Sequence, residues 1–314
     1  MSDALLVPGR PPAGAAARSA SSGLLDLLGD PEVTDVLVNG PGRVWRERAG
    51  VLEPTDVWLR RSDIDAAIEQ LLVASGRRVD LSSPIVDARL AEGSRLSVVL
   101  PPIAVDGPCL SIRRFTVRGR SLSDFGDDEV GAQLVRAVAR KANIVVSGPT
   151  GAGKTSLLNA LAAHIDPAER IVTIEDAAEL SLPGEHIVRL QTRGPSTEGG
   201  GMVTTADLVR TALRLRPDRI IVGECRGGEA HDMIQAMHTG HRGSLTTVHA
   251  NSTRDALERL AVLAASAGRG LGIDVARAQL RSAVDVVVHL SRGQGGPRRI
   301  DQIHVIKPER AARR

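Results

Sequence analysis

The 314 residues are enough for two domains with substantial cores, and 40 Lys and Arg against 37 Asp and Glu leave a formal net charge of only +3. This balance, with two Trp, two Phe and no Tyr to stack on bases, argues against direct nucleic-acid binding. Two cysteines exclude a disulfide framework and a tetrathiolate zinc site. No apolar run approaches the roughly 20 residues that cross a bilayer. We therefore expect no transmembrane segment, and a cytoplasmic protein or one peripheral to the inner face of the cell membrane.

The N-terminal third is predicted to be a tail followed by a small α/β domain. Residues 1–22 are rich in Pro, Gly, Ala and Ser, which is typical of a disordered tail, and residues 23–118 form the domain. Its predicted elements are a short helix from Leu24, strands Val33–Val38 and Arg43–Glu47 around a turn at Asn39–Gly42, helix Ser62–Ala74, and strands Ile85–Leu90, Arg95–Leu100 and Leu110–Phe115. The polar residues 119–124 are the predicted linker.

Residues 125–306 alternate between helix and strand patterns, which indicates a parallel sheet flanked by helices. The predicted helices are Glu129–Ala142, the one after residue 155, Thr205–Leu215, Glu229–Thr239 and Thr253–Ser266. The predicted strands are Asn143–Ser147, Ile171–Ile174, Arg219–Val222, Ser244–Val248, and a terminal hairpin of Val284–Leu290 and Arg299–Ile306. Residues 307–314 read as a solvated basic tail.

Residues 148–155 have the G-x-x-x-x-G-K-[ST] spacing of a phosphate-binding P-loop, between an apolar β-branched run and a helical pattern. The predicted nucleotide-binding residues are Gly148, Pro149, Thr150, Gly151, Ala152, Gly153, Lys154, Thr155 and Ser156. Inward-facing N–H groups and the helix dipole favour an anion there. We expect Lys154 to reach the β- and γ-phosphates of ATP and Thr155 to bind Mg²⁺. The alternative is a glycine-rich turn that matches by chance.

Two later strands end in carboxylates, at the edge where a parallel sheet binds its ligands. Glu175 follows the strand at 171–174 and is a candidate to orient or activate the attacking water, although a solvated acidic loop is an alternative. Glu224 follows Arg219–Val222 in the pattern of a Walker B site and is a candidate to hold Mg²⁺ through water or to position the nucleophile. Gly223 occupies the position where many P-loop enzymes carry Asp, and Cys225 reads as a small buried hydrophobe.

A third strand leads to His249, which is a candidate to sense the γ-phosphate or to couple hydrolysis to motion. The alternative is a hydrogen-bonded structural residue. The spacing of His231, His238 and His241 fits no metal-ligand template well.

Arginines are candidates to stabilise the transition state, because P-loop ATPases need extra positive charge there, often from another domain or subunit. Arg95, Arg113 and Arg114 belong to the first domain, and Arg226 follows the Walker B carboxylate.

With these motifs in order, the sequence resembles the type II/type IV secretion and pilus-assembly ATPases, and most resembles the CpaF/TadA-type branch that drives Flp-like pilus assembly. The boxes that carry the resemblance are GPTGAGKTSLLNAL, TIEDAAEL, LRLRPDRIIVGECRGGEA and TGHRGSLTTVHANS. VTDVLVNGPGRVW, GSRLSVVLPP and SIRRF extend it to roughly residues 24–306. His238 and Arg242 depart from the family pattern before the last box, where Asn and Asp are expected.

The resemblance implies a RecA-like P-loop domain with a smaller N-terminal α/β domain, and a homo-hexamer that hydrolyses ATP with Mg²⁺. It implies that Glu175 and Glu224 serve the catalytic water and metal. It also implies that His249 is the functional histidine of the last box, the His box, and that Arg95, Arg113 and Arg226 face phosphate. It also implies inner-membrane platform proteins of a pilus or secretion system as partners. The alternatives are conjugation or another nucleic-acid-translocating motor of related fold, and a non-hydrolysing nucleotide switch.

Overall fold

The structure is a computed structural model that describes residues 20–48, 50–73, 75–90, 92–114, 121–194, 201–292 and 298–306. The chain divides into two compact units, Met1–Thr116 and Val117–Arg314. No helix within the described ranges is long and apolar enough to cross a membrane.

The N-terminal unit is built on an antiparallel sheet with two helices. Its elements are α1 (Ala20–Gly29), β1 (Val33–Asn39), β2 (Gly42–Arg48), β3 (Val51–Leu59), α2 (Arg61–Val73), β4 (Ile85–Arg89), β5 (Arg95–Val99) and β6 (Cys109–Arg113). Six strands of the described residues are ordered β3-β2-β1-β6-β5-β4. Helix α1 begins inside the stretch predicted as a tail, whose residues 1–19 lie outside the described residues.

Strand β3 is an element that the sequence patterns did not predict. Pro54 interrupts it, and a proline cannot donate a hydrogen bond to a sheet ladder. The structure accommodates Pro54 opposite Trp45 because β3 is an edge strand of the sheet. The core beneath the sheet is aliphatic, as the composition requires, with Val36, Leu96 and Ile112 fully buried.

The C-terminal unit is a three-layer α/β structure. Its elements are α3 (Asp128–Ala139), β7 (Ile144–Ser147), α4 (Lys154–Ala162), β8 (Ile171–Glu175), β9 (Ile187–Gln191), α5 (Thr205–Ala212), β10 (Arg219–Val222), α6 (Glu229–His238), β11 (Leu245–Val248), α7 (Thr253–Ala265), α8 (Ile273–Ala283), β12 (Val286–Arg292) and β13 (Arg298–Val305). The strand order among the described residues is β13-β12-β7-β11-β10-β8-β9, parallel except for β13.

The central strands of this sheet position the site. Every residue of β7, β8, β10 and β11 is buried, because helices cover both faces of the parallel sheet. The carboxyl ends of these four strands therefore meet at one edge.

The structure of this unit differs from the sequence predictions at several points. Helix α3 ends before Ala142 because Lys141 adopts a left-handed backbone with φ of 57°. Of the predicted linker, residues 119–120 lie outside the described residues, while Leu122 is 7% exposed and packs into the core of this unit with Phe125. Strand β9 and helix α8 were not predicted.

Candidate active site

The P-loop connects β7 to α4 and depends on two glycine conformations. Gly148 has φ of +151°, and a Cβ there would lie 2.6 Å from the backbone oxygen of Leu290. Gly153 has φ of +95° and begins α4 as its N-cap. Both positions favour glycine, so the loop can curl tightly before the helix. The N-terminus of α4, with its free N–H groups, opens onto this loop.

Lys154 lies over the P-loop rather than in solvent. Its side chain is 8% exposed, and Nζ donates to the carbonyl oxygens of Gly148 at 2.9 Å and Pro149 at 3.0 Å. Thr155 and Ser156 follow in the first turn of α4. The ammonium is thereby held at the mouth of the loop, where an anion bound by the loop would meet it.

His249 lies between Lys154 and Glu224. Its Nε2 lies 3.3 Å from Nζ of Lys154 and 3.0 Å from Oε1 of Glu224. Burial lowers the pKa of His249, and the charge of Lys154 lowers it further against the opposing effect of Glu224. When the imidazole is neutral and Nε2 accepts a hydrogen bond from the Lys154 ammonium, Nε2 carries no proton. It therefore cannot donate a hydrogen bond to Glu224. Consistent with this, Oε1 of Glu224 is buried and makes no hydrogen bond among the described residues.

The other carboxylate oxygen of Glu224 is bound by Arg226. The guanidinium contacts Oε2 through Nη2 at 2.5 Å and Nε at 2.7 Å, and lies 3.8 Å from Asp176. The loop that carries Arg226 is fixed by Glu229, whose Oε1 accepts the backbone N–H groups of Arg226 and Gly227 at 2.5 and 2.8 Å. Glu229 was not singled out from sequence. The N-cap of α6 is Gly228, and the Glu229 carboxylate binds the loop before the helix rather than capping it.

Glu175 ends β8 with its carboxylate buried. Its Oε1 accepts the N–H groups of Glu179 and Leu180, each at 2.9 Å, while Oε2 has no hydrogen-bond partner among the described residues. Burial raises the pKa of Glu175 to about 7. A Cβ on Gly223 would lie 3.0 Å from Cγ of Glu175. Gly223, at the position where many P-loop enzymes carry the Walker B Asp, therefore leaves space for the side chain of Glu175.

Arg95 and Arg113 lie in the N-terminal unit, directly opposite each other on β5 and β6. Arg89 is opposite Arg95 on the other side, so arginines occupy one row across three strands. Arg114 is different, because its Nη1 donates to the backbone carbonyls of Asp30 and Val33, which anchors β6 to the start of β1.

Several other candidates have structural roles. His238 contacts the carbonyl oxygen of Gln279 at 2.9 Å, and Arg242 pairs with Asp285 at 3.2 Å, so both departures from the family pattern make contacts next to α8. No group of three potential metal-ligating side chains is present in the described ranges. Cys225 is 2% exposed, and burial raises the pKa of its thiol to about 12, so it is a buried small side chain as predicted.

A known protein family matches most of the chain. Residues 18–302 match the family described as type II/IV secretion system protein. A putative conjugal transfer protein of Mycobacterium tuberculosis is 39% identical over 299 residues, which cover 91% of this chain and 84% of that protein.

Two solved structures are similar in fold. The VirB11 ATPase of the Brucella suis type IV secretion system, in complex with sulphate, is 33% identical with a TM-score of 0.51, over 91% of this chain and 93% of that one. The Legionella pneumophila ATPase DotB has a TM-score of 0.63 at 20% identity, over 94% of this chain and 84% of that one. The predicted fold class, a RecA-like P-loop domain with a smaller N-terminal α/β domain, is confirmed. The chain belongs to the type II/IV secretion system protein family and is an ATP hydrolase of that family.

Proposed function

We propose that this protein is a hexameric ATPase that hydrolyses ATP to ADP and phosphate to power Flp or type IV-like pilus assembly or type II/IV secretion. The observation that carries the proposal is the convergence of Lys154, His249 and Glu224 at the mouth of the P-loop. An ammonium that neutralises the β- and γ-phosphates and a carboxylate that positions the attacking water or the metal are groups that phosphoryl transfer to water uses. His249 lies between these two groups.

Each predicted residue has a proposed role. The P-loop N–H groups and Ser156 hold the phosphates, Lys154 neutralises the β- and γ-oxygens, and His249 senses the γ-phosphate. Glu224 and Glu175 serve the catalytic water. The pKa of about 7 suits Glu175 to exchange a proton at neutral pH. Glu224 lies 3.0 Å from His249, which in turn lies 3.3 Å from Lys154.

Mg²⁺ fits the residues that this site offers. It prefers oxygen ligands and retains several waters, so it needs few protein ligands. The Thr155 hydroxyl, in the first turn of α4, and Oε1 of Glu224, which has no hydrogen bond among the described residues, would hold the ion directly or through water. When bound, the ion neutralises charge that develops on the phosphates.

Arg95 and Arg113 are proposed to contact the γ-phosphate when the N-terminal domain closes over nucleotide, with Arg226 supplying charge from the P-loop domain. Release after hydrolysis would then allow domain motion, and a homo-hexamer would couple neighbouring subunits. We propose inner-membrane platform proteins of the pilus or secretion system as partners, which would place the protein at the cytoplasmic face of the membrane.

Conjugation is the second candidate, because the Mycobacterium tuberculosis relative is described as a putative conjugal transfer protein. In that case the motor acts on nucleic acid. Turnover should then rise with single-stranded DNA, and the stimulation should weaken with salt as phosphate contacts are screened.

The test is phosphate release by the purified full chain with ATP and Mg²⁺, followed over a range of protein concentrations. We expect activity that EDTA abolishes and that rises per subunit as hexamers form, with native mass spectrometry reporting the assembly. No phosphate release at any concentration would favour a non-hydrolysing switch. Deleting the gene separates the pathways: loss of surface pili supports pilus assembly, and loss of DNA transfer supports conjugation.

A further inference from the structure

Arg259 is an arginine close to the candidate active site that no motif singled out. It lies on α7 and lines a cleft of about 380 Å³ together with Pro149, His249, Asn251 and Asp255. The carbonyl oxygen of Pro149 accepts from Lys154, and Nε2 of His249 lies 3.3 Å from that same ammonium. The cleft therefore opens beside the groups that would surround the terminal phosphate.

The guanidinium of Arg259 has no counter-ion within the described residues. It is exposed and makes no hydrogen bond or ion pair with any of them, not even with Asp255 in the same cleft. Nearby arginines behave differently: Arg277 pairs with Glu258 at 2.9 Å, and Arg269 pairs with Asp232 at 2.6 Å.

The charge of Arg259 reaches the site. Burial is the main cause of the lowered pKa of His249, and the positive charges of Lys154, Arg226 and Arg259 act in the same direction. An anion in the cleft would be attracted by all three cations. A guanidinium can also donate two parallel hydrogen bonds to the oxygens of a phosphate.

We propose that Arg259 contacts the terminal phosphate of ATP from within the P-loop domain and so distinguishes ATP from ADP. The inference rests on the proposed function, because it requires nucleotide on the P-loop. ADP, whose phosphates end at the β-position near Lys154, would leave Arg259 without an anion. Arg259 is thus a phosphate-contacting residue in addition to Lys154, Arg95, Arg113 and Arg226.

The experiment compares Arg259→Ala and Arg259→Lys with Arg254→Ala in the full chain. Arg254 is a matched control, since it is also an exposed arginine of α7 but lines a different groove with Glu258 and Arg281. The Kd values for AMP-PNP and for ADP, each with Mg²⁺, are measured by calorimetry. We expect Arg259→Ala to raise the Kd for AMP-PNP about tenfold or more and to leave that for ADP within about twofold, whereas Arg254→Ala changes neither. Arg259→Lys should recover part of the AMP-PNP affinity.

Three outcomes would overturn the proposal. If Arg259→Ala loses affinity equally for both nucleotides, Arg259 is a general structural residue. If the wild-type chain hydrolyses ATP and Arg259→Ala keeps its affinity for AMP-PNP, Arg259 is a solvated charge. In both cases the proposed function stands. If the wild-type chain neither binds nucleotide nor releases phosphate, the proposed function fails and this inference with it.

Discussion

Nε2 of His249 lies 3.0 Å from Oε1 of Glu224, although the two residues follow different strands, β11 and β10. These strands pair in parallel, so their carboxyl ends lie side by side. Because the same nitrogen is 3.3 Å from Nζ of Lys154, the imidazole lies between the carboxylate and the P-loop lysine.

Glu224→Gln is expected to retain nucleotide binding and lose hydrolysis. The amide keeps the shape of the side chain and removes the charge that faces His249 and Arg226. Turnover should fall by about 100-fold or more, with ADP affinity within a few-fold of wild type. Phosphate release measures turnover, and calorimetry measures ADP affinity. Glu258→Gln, at a partly exposed carboxylate, is the control. A parallel loss of binding and turnover would assign Glu224 a structural role.

Lys154→Ala should reduce hydrolysis by at least about 100-fold, because it removes the ammonium from the β/γ-phosphate position. The side chain is only 8% exposed. Its loss also leaves the carbonyls of Gly148 and Pro149 without this donor, so a small drop in melting temperature is expected. Lys141→Ala is the comparison, at a half-exposed lysine that pairs with Glu169 at 3.0 Å, away from the P-loop segment. Hydrolysis near the wild-type rate in Lys154→Ala would refute the P-loop assignment.

Glu175 should make stability fall as the pH rises from about 4.5 to about 7. Its folded pKa of about 7 exceeds the ordinary value of 4.5, so the folded state binds the proton more tightly in this window. The stability is present below pH 4.5 and lost as the pH passes 7, with an amplitude of roughly 3 kcal/mol. Glu175→Gln keeps an oxygen acceptor for Glu179 and Leu180 and has no such dependence.

Chemical denaturation of wild type and Glu175→Gln at a series of pH values tests this prediction. The difference in the free energy of unfolding isolates Glu175 from the other titrating groups. A difference that stays constant from pH 4.5 to 7.5 would show that the carboxyl ionises normally in the folded protein.

Arg95→Thr is expected to stabilise the N-terminal domain while lowering turnover. Arg95 lies between Arg89 and Arg113, and like charges directly opposite in a sheet destabilise it by roughly 0.2–1 kcal/mol. Threonine favours strands and removes the repulsion. Slower hydrolysis with a higher melting temperature supports a phosphate-contacting role, whereas unchanged hydrolysis would make this row of arginines an ordinary surface feature. Arg48→Thr, at a partly exposed arginine of β2, is the control.

The elements nearest the P-loop were predictable because their burial leaves a simple pattern. The fully buried strands β7, β8, β10 and β11 appear in sequence as short apolar runs. Strand β9 is only partly buried and contains Arg189, so its pattern is weak. Helix α8 is short and polar on average, and tertiary packing of Leu280 and the alanines around it stabilises it.

The sequence by itself determined the P-loop, because that site is one contiguous segment whose glycines and lysine have obligatory spacing. It also determined which residues end the strands, since apolar runs stop at Glu175, Glu224 and His249. Only the tertiary structure decided which of these groups meet. Parallel pairing brings His249 within 3.3 Å of Lys154 across 95 positions of chain, and packing on α7 directs Arg259 to the same cleft. Such proximity depends on strand order and helix packing, which leave no local pattern in the sequence.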